Sequence, residues 1–279
     1  MSTTRDTRWA GRIAPFPVLQ NLLTLFRFRV LIQSLVVREL KARYRGSVLG
    51  FLWSFINPLL QLLIYWFVFT YILPTGREVM GMSPYALFLF TGILPWTWFS
   101  SSVLESSSIL MTGGNLIKKI LFPAEVLPIV VVLSNLVHFF LGLPILLAFL
   151  LYYGKIQLSI LAFPAIVLLQ LVFTFGICLF ISALAVHFRD VANIITNVMM
   201  LWFFGSPVIY SYLNVSPEIQ RFLNYNPMTH ILVGYHQSLF TGSLGHWPWL
   251  LVMVPASAVT FLVGYTFFDR LRETFAEEV

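Results

Sequence analysis

Charged residues are scarce in this chain: Asp, Glu, Lys and Arg together make up 10% of its 279 residues. Soluble domains carry about 25%. Cysteine is nearly absent as well, because Cys178 is the only one, and this excludes a disulfide framework within the chain. In contrast, 58% of the residues are hydrophobic and the mean hydropathy is +0.85. The composition therefore indicates a multi-pass membrane protein, with residues 46–279 forming one transmembrane domain.

Motifs for catalysis, cofactor binding and metal binding are also missing. Gly113-Gly114 is followed by Lys118-Lys119, but not at the spacing of a phosphate-binding loop and without a following Ser or Thr. H-E-x-x-H, C-x-x-C and G-x-S-x-G do not occur, and the five histidines are scattered. The sequence therefore predicts no catalytic, cofactor or metal site in this chain. The net charge of +6 is typical of topogenic loop charges and predicts no nucleic-acid partner.

The rest of the chain is organised around the stretch from Arg38 to Tyr71. A dense basic cluster ends at Arg45, and no charged residue follows before Arg77. This apolar run exceeds the roughly 20 residues that cross a bilayer core. Basic residues beside a membrane span remain on the cytoplasmic side. The stretch therefore predicts where the membrane begins and in which direction the chain enters it.

The hydrophobic pattern predicts an all-α fold with six transmembrane helices. Residues 1–45 are expected to form a cytoplasmic tail and an amphipathic helix at the membrane interface, or a plain juxtamembrane anchor. Residues 213–246 are interrupted by prolines, glycines and charges, and their apolar run Ile231–Phe240 is too short to cross, so two short re-entrant helices that dip into the outer leaflet are predicted there. The six spans are predicted at about 51–73, 84–108, 126–151, 159–186, 191–212 and 247–268, and the re-entrant helices at 216–224 and 228–240.

The distribution of basic residues predicts the orientation. Fourteen Lys and Arg residues fall on the side of the termini, and only Arg77, Lys155 and Arg221 fall on the other side. Cytoplasmic loops carry the excess of Lys and Arg, so both termini are expected in the cytoplasm.

Glu105 is the most unusual residue within a predicted span. A carboxylate at the centre of a membrane helix costs roughly 2.5–3.5 kcal/mol on insertion scales, so such groups usually face a polar path. Ser101 lies one helical turn away and could share that face. The alternative is that Glu105 lies near the cytoplasmic interface and is simply hydrated. His138, in the third span, is interpreted as a helix-packing residue rather than a proton relay, because no paired acid is evident.

Aromatic residues are abundant, at 16% of the chain, and several fall in or near the outer halves of the first two spans. Helix packing and an interfacial aromatic belt would account for them. Alternatively, they form a stacking surface for sugar rings, whose apolar faces suit aromatic planes. Together with Ser101 and Glu105, the residues predicted to line a substrate path are Tyr65, Trp66, Phe69, Trp96, Trp98 and Phe99.

A series of short motifs resembles the type-2 ABC transporter permeases that export polysaccharides. The motifs occur in order between about residues 38 and 229, and together they are specific although each alone is weak. They are R-E-L-K-x-R-Y-x-x-S-x-L-G-x-x-W from Arg38 to Trp53, Asn57-Pro58, N-L-I-K-K-x-x-F-P from Asn115 to Pro123, F-R-D-V from Phe188 to Val191, S-P-V-I-Y from Ser206 to Tyr210, and N-P-M-T from Asn226 to Thr229.

The resemblance implies a half-transporter, in which two copies of this chain work with two copies of a separate ATPase that binds ATP and Mg. It implies an interface helix at about 31–45, a coupling helix at Asn115–Pro123 that docks into the ATPase, and an outer gate formed by the re-entrant segments. The implied substrate is an undecaprenyl-linked glycan, with O-antigen favoured over capsule or teichoic acid, moved across the inner membrane of a bacterium. The implied coupling residues are Arg38, Glu39, Arg43, Asn115, Leu116, Lys118, Lys119, Phe122 and Pro123, and the implied gate residues are Asn226, Pro227 and His236.

Two other readings of the sequence stay open. A membrane-embedded transferase acting on lipid-linked sugars would need a second acid or a metal near Glu105, and its own span offers neither. A permease for a small drug or a lipid would need no long aromatic path.

Overall fold

The computed structural model describes residues 28–72, 84–114, 123–188 and 190–278, and within these ranges the chain is helical, with no strand. We number the α-helices in chain order. The described residues also include three short 3-10 turns, at Gly50–Leu52, Leu158–Ala162 and Tyr212–Asn214, and two π-helical turns, at Val68–Ile72 and Gln237–Thr241. The α-helices are α1 Arg29–Arg43, α2 Trp53–Phe67, α3 Tyr85–Thr112, α4 Val126–Tyr152, α5 Phe163–His187, α6 Val191–Phe204, α7 Pro217–Leu223, α8 Pro227–His236, α9 Trp247–Leu271 and α10 Phe275–Glu278.

Five of the described helices are long and apolar enough to cross a membrane: α3, α4, α9, and α2 and α5 with their preceding 3-10 turns. Their bounds agree with the predicted spans to within a few residues. The predicted span at 191–212 differs, because α6 ends at Phe204 after 14 residues. At 1.5 Å per residue it is about 21 Å long, shorter than a bilayer core of about 30 Å. Gly205 caps it, and Pro207 has no backbone N–H with which to continue the helix.

Helix α3 forms the centre of the bundle. Its first fifteen residues are buried apart from Thr97 and packed among α2, α4, α5, α6 and α8. Polar side chains tie it to its neighbours: Gln170 of α5 donates to the carbonyl oxygen of Pro95 at 2.9 Å, and the Trp98 indole donates to the carbonyl oxygen of Val132 in α4 at 3.3 Å. In a membrane, such interhelical hydrogen bonds help to hold neighbouring helices together.

The most extensive helix–helix contact joins α5 and α9, and glycine allows it. A Cβ atom on Gly176 would lie 2.6 Å from the backbone of Thr260 and Phe261, and one on Gly264 would overlap the carbonyl of Gly176. Membrane helices associate through close van der Waals packing at small residues, because lipid supplies no hydrophobic drive between them. The two glycines therefore set the distance between α5 and α9.

Helix α1 packs on the start of α4, where Leu35 is buried against Val126 and Val130. Arg38 and Lys41 of α1 are exposed. The helix predicted at about 31–45 is therefore present, with an apolar side against the bundle. Its position in the plane of a membrane interface stays a prediction, as does the division of the chain at residue 45.

The bundle has two ends. The terminal end contains α1, the start of α4, and the ends of α5 and α9, where Phe268 packs on Phe275 of α10. The distal end contains the start of α3, the 3-10 turn at Leu158–Ala162, α7, α8 and the start of α9. The two short helices predicted at 216–224 and 228–240 are present as α7 and α8, and all residues of α8 after Pro227 are buried.

Candidate functional site

Three polar side chains from three helices meet near the terminal end. The Nη2 atom of Arg43, at the end of α1, donates to both carboxylate oxygens of Glu105 on α3, each at 2.9 Å. Its Nη1 atom donates to Oδ1 of Asn135 on α4 at 3.3 Å, and Nδ2 of Asn135 donates to Oε2 of Glu105 at 3.0 Å. The three groups therefore form a closed triangle that joins α1 to α3 and α4.

The triangle explains how a carboxylate is tolerated on α3. Glu105 is not a lone acid, because a guanidinium neutralises it with charge-assisted hydrogen bonds, which are stronger than neutral ones. Its side chain is 36% exposed and that of Arg43 is 29% exposed, while Asn135 is buried. Sequence reasoning placed Arg43 with the ATPase contact and Glu105 with the substrate path. The structure brings the two residues together, and both roles stay predictions.

A cavity of about 320 Å³ lies next to the triangle, between the end of α1 and helices α2, α3 and α4. Its walls combine neutral amides and hydroxyls with aromatic rings, and Arg43, held by Glu105, is the one permanently charged residue among those that line it. The lining residues are Arg43, Tyr44, Trp53, Ser54, Asn57, Pro58, Gln61, Leu94, Thr97, Trp98, Ser101, Asn135, His138 and Phe139.

Two polar atoms of this cavity lack a partner in the part of the chain that the structure describes. They are Oγ of Ser54, whose residue is 4% exposed, and Nε2 of His138. The other ring nitrogen of His138, Nδ1, lies 3.5 Å from the Tyr44 hydroxyl. Buried polar groups in proteins nearly always have a hydrogen-bond partner, whether protein, water or ligand. The cavity therefore has unused hydrogen-bonding capacity that water or a polar substrate can fill.

The residues predicted to line one substrate path do not all lie in one place. Trp98 and Ser101 line the cavity, Glu105 borders it, and Tyr65 accepts a hydrogen bond from Gln61 of the cavity wall at 3.2 Å. The other aromatic residues pack elsewhere: Trp96 and Phe99 against Phe203 and Trp202 of α6, Phe69 against Tyr85, and Trp66 against Tyr71.

The predicted coupling residues lie mostly outside the described residues, including Asn115, Leu116, Lys118, Lys119 and Phe122. Of the others, Arg38 is exposed and Glu39 is half-buried on α1. Pro123 is half-buried and directly precedes the turn into α4. A docking role for these residues stays a prediction.

Two predicted gate residues, Asn226 and Pro227, begin α8. The side chain of Asn226 caps the helix by accepting from the Met228 amide at 3.0 Å, and Pro227 occupies the first turn, where its missing N–H costs nothing. Asn226 also joins α8 to the end of α6, since it accepts from the Trp202 indole and donates to the Gly205 carbonyl, both at 2.8 Å.

His236, the third predicted gate residue, ends α8 in the core of the distal end. Its ring stacks on Phe88 with 4.1 Å between centroids, and its nitrogens meet Thr91 Oγ1 at 2.9 Å and the Pro207 carbonyl at 3.0 Å. It therefore links α8 to α3 and to the turn after α6. Gating by these three residues stays a prediction.

A second pair of histidines joins α8 to α9. Nδ1 of His230 lies 2.9 Å from Nε2 of His246, and Nε2 of His230 lies 3.0 Å from the carbonyl oxygen of Asn224. A carbonyl only accepts, so Nε2 of His230 carries a proton; in the neutral ring Nδ1 then accepts from His246. Burial lowers the pKa of His230, and burial together with the neighbouring His230 lowers the pKa of His246 to about 4.

Sequence reasoning missed several members of both clusters. Asn135 lies three residues before His138, a spacing that places both on one helix face, and this signal was available. Asn57 and Tyr44 belong to motifs quoted for the resemblance but carried no assigned role. The His230–His246 pair gave no usable signal, because sixteen residues and a helix end separate the two rings.

Comparison with known proteins defines the class of this chain. The model of the ABC-2 type transporter family matches residues 30–240. The chain therefore belongs to the ABC-2 type transporter family, and its class is a multi-pass transport permease rather than an enzyme. Permeases of this family work with a separate ATPase subunit.

Individual relatives cover almost the whole chain. It is 39% identical to the O-antigen export system permease protein RfbA of Myxococcus xanthus, over 91% of this chain and 97% of the relative. It is 33% identical to a protein of the same name from Klebsiella pneumoniae, over 92% and 96%. A more distant relative, the polysialic acid transport protein KpsM of Escherichia coli, is 22% identical over 88% and 94%.

Proposed function

We propose that this chain is the transmembrane subunit of an ATP-driven exporter that moves lipid-linked O-antigen across the bacterial inner membrane. Two copies of the chain would work with two ATPase subunits, which bind ATP and Mg. The terminal end would face the cytoplasm and the distal end would face outward, as the distribution of basic residues favours. The identity to O-antigen permeases over nearly the full length supports O-antigen over capsule, whose relative is more distant.

The observation that carries the proposal is the cavity beside Arg43. Its amides and hydroxyls can hydrogen-bond sugar hydroxyls, and its Trp and Phe rings can cover the apolar faces of a sugar ring. A small apolar drug would leave those polar groups unpaired, at a cost of about 1–3 kcal/mol each. The pairing of Glu105 with Arg43 also disfavours the transferase reading, because the charged partner of this acid among the described residues is a cation rather than a second acid.

Energy would enter from the ATPase through the segment Asn115–Pro123. Closure of the ATPase subunits on ATP would push this segment, which leads directly into α4. Helix α4 carries Asn135 and α3 carries Glu105, so a relative shift of these helices would reshape the cavity wall. An undecaprenyl-linked glycan would then pass outward between two copies of the chain, with its lipid in the membrane.

The test is genetic and biochemical. A strain that lacks this chain should accumulate lipid-linked O-antigen inside and show none on its surface, and the chain expressed with its ATPase should restore export. The purified complex of two permeases and two ATPases should hydrolyse ATP faster when lipid-linked glycan is added. Export that does not depend on the chain would disprove the proposal.

The coupling segment has its own test. Replacing Lys118, Lys119 and Phe122 with Ala should reduce glycan-stimulated ATP hydrolysis at least several-fold while the chain still inserts. The matched control is Lys155→Ala, which removes a basic residue from the opposite end of the bundle. Unchanged coupling in the triple variant would contradict the docking role without contradicting export.

A further inference from the structure

A second, smaller cavity of about 200 Å³ lies at the distal end, away from the cavity beside Arg43. One wall is the 3-10 turn Tyr212–Asn214, and the other is the last turn of α8 with the π-helical turn Gln237–Thr241. Phe88 of α3 contributes to the lining as well. One residue with a predicted role, the gate residue His236, contributes to its lining, but no substrate role was predicted for this cavity, which we call the distal pocket.

The lining of the distal pocket combines neutral polar groups with aromatic rings. Hydroxyl groups come from Ser243 and Tyr212, amides come from Asn214 and Gln237, and Phe88 supplies a ring. Among the described residues that line it, none is an Asp, Glu, Lys or Arg, and the one histidine, His236, has both ring nitrogens hydrogen-bonded elsewhere. Such walls suit a neutral sugar, whereas a phosphate or a lipid headgroup would find no opposite charge.

The pocket wall is a defined structure rather than a gap between loops. Gly242 has a positive φ of 74°, and a Cβ atom there would overlap the side chain of Gln157, so only glycine fits at this corner. Ser159 donates to the Ser238 carbonyl at 3.0 Å, and Gln237 accepts from the His246 amide at 2.8 Å. π-Helical turns are rare and occur frequently at functional sites. Here the turn is held from two sides.

We propose that the distal pocket binds one neutral sugar unit of the exported glycan as it leaves the permease. This inference rests on the proposed function and names a binding site for the same substrate. The volume supports a single unit, because pockets for drug-sized ligands are larger, at about 300–1,000 Å³. Hydrogen bonds from the amides and hydroxyls select the sugar, and the aromatic rings can cover its apolar face.

The test is site-specific photocrosslinking in cells that export the glycan. The photoreactive residue p-benzoylphenylalanine replaces Leu213, which lines the pocket and is 71% exposed. The control carries it at Leu158, which is 81% exposed at the same end but does not line the pocket. After illumination, the tagged chain is purified in denaturant and probed with an antibody against the O-antigen. A glycan adduct at least fivefold stronger at position 213 is expected.

A blocking variant separates binding from mere proximity. Ser243→Trp places an indole in the pocket mouth and should reduce the adduct at position 213 several-fold. Leu244→Trp adds the same bulk at the next residue, which does not line the pocket, and should leave the adduct unchanged. Two results, obtained while surface glycan is still exported, would overturn the pocket proposal but not the exporter proposal. One is an equally strong adduct at positions 213 and 158, and the other is an adduct that Ser243→Trp does not reduce. If surface glycan did not depend on this chain at all, both the pocket proposal and the exporter proposal would be overturned.

Discussion

The terminal and distal ends of the bundle both contain polar clusters that join helices, but the two clusters use different chemistry. At the terminal end, an ion pair between Arg43 and Glu105 is completed by Asn135. At the distal end, His230 and His246 share one hydrogen bond as neutral rings, and Trp249 stacks on His230 with 4.6 Å between centroids. One end joins its helices with charge, and the other joins them without it.

This difference in charge predicts that the two ends respond differently to salt and to pH. An ion pair between a carboxylate and a guanidinium is weakened by salt, because dissolved ions screen the attraction between its charges. A pair of neutral imidazoles is insensitive to salt but is disrupted by protons, because two charged rings at 2.9 Å would repel. The two ends can therefore be tested separately in one protein.

The largest effect should come from breaking the scaffold that both ends share. Gly264→Val would drive two methyl groups into the backbone of α5 at Gly176. Overpacking typically costs 1–3 kcal/mol, and a backbone contact gives little room to relax, so we expect about 3 kcal/mol or more. The temperature of thermal unfolding in detergent should fall strongly. The terminal end should lose its response to salt, and the distal end should lose its response to pH. Gly245→Ala, whose Cβ would have no neighbour closer than 4.0 Å, is the control.

The ion pair should give the next largest effect. Arg43→Ala and Glu105→Ala each leave a charge without its partner, which costs about 1.5–3 kcal/mol for a hydrogen bond to a charged group. The double variant removes both charges and should cost clearly less than the sum of the two. Thermal unfolding of the two single variants, the double variant and the parent protein measures this coupling.

The control for the ion pair is Arg38→Ala, on the same helix but exposed. It should change stability by less than about 0.5 kcal/mol, as surface substitutions do. Additive effects of Arg43→Ala and Glu105→Ala would mean that the pair is not formed in the membrane protein.

The histidine pair should respond to pH. The pKa of His246 is lowered to about 4 from an ordinary value near 6.5, so the closed pair binds fewer protons than the opened one between these values. Stability of the contact is therefore complete above about pH 6.5 and is lost as pH falls toward 4. Hydrogen exchange of α8 amides, corrected for intrinsic rate, should quicken several-fold between pH 7.5 and 5.

The groups that contact the histidine pair leave protonation of the two imidazole rings as the cause of the expected pH response. Tyr212 and Trp249 pack against the rings, Asn224 supplies a carbonyl, and no carboxylate or cation is among these described contacts. His246→Gln keeps an N–H that can donate to His230 but removes one titrating ring, so it should weaken the pH response by about half. A response identical to that of the parent protein would assign the effect to another group.

Much of the fold could be predicted from the sequence because hydrophobic length is a local property. The helices from α2 to α5 and α9 follow from apolar runs, and α7 and α8 from runs too short to cross. The end of α6 at Phe204 was missed although Gly205 and Pro207 are helix-ending signals, because apolar residues resume at Val208 and made one long span plausible. The partners of Glu105 and His230 could not be predicted, because 62 and 16 residues separate them from Arg43 and His246 and only packing brings them together.

The smallest expected effect is the response to salt, and it tests the comparison between the two ends most directly. Raising the ionic strength from about 0.1 M to 1 M shortens the screening length from about 10 Å to 3 Å. The Arg43–Glu105 coupling energy from the double-variant cycle should fall by a few tenths of a kcal/mol, since both side chains are about one-third exposed. The same salt change should leave hydrogen exchange in α8 unaltered, because the histidine pair is neutral at pH 7.5. Two results would contradict the assignment of a charged pair to the terminal end and a neutral pair to the distal end. One is hydrogen exchange in α8 that changes with salt, and the other is an Arg43–Glu105 coupling energy that does not.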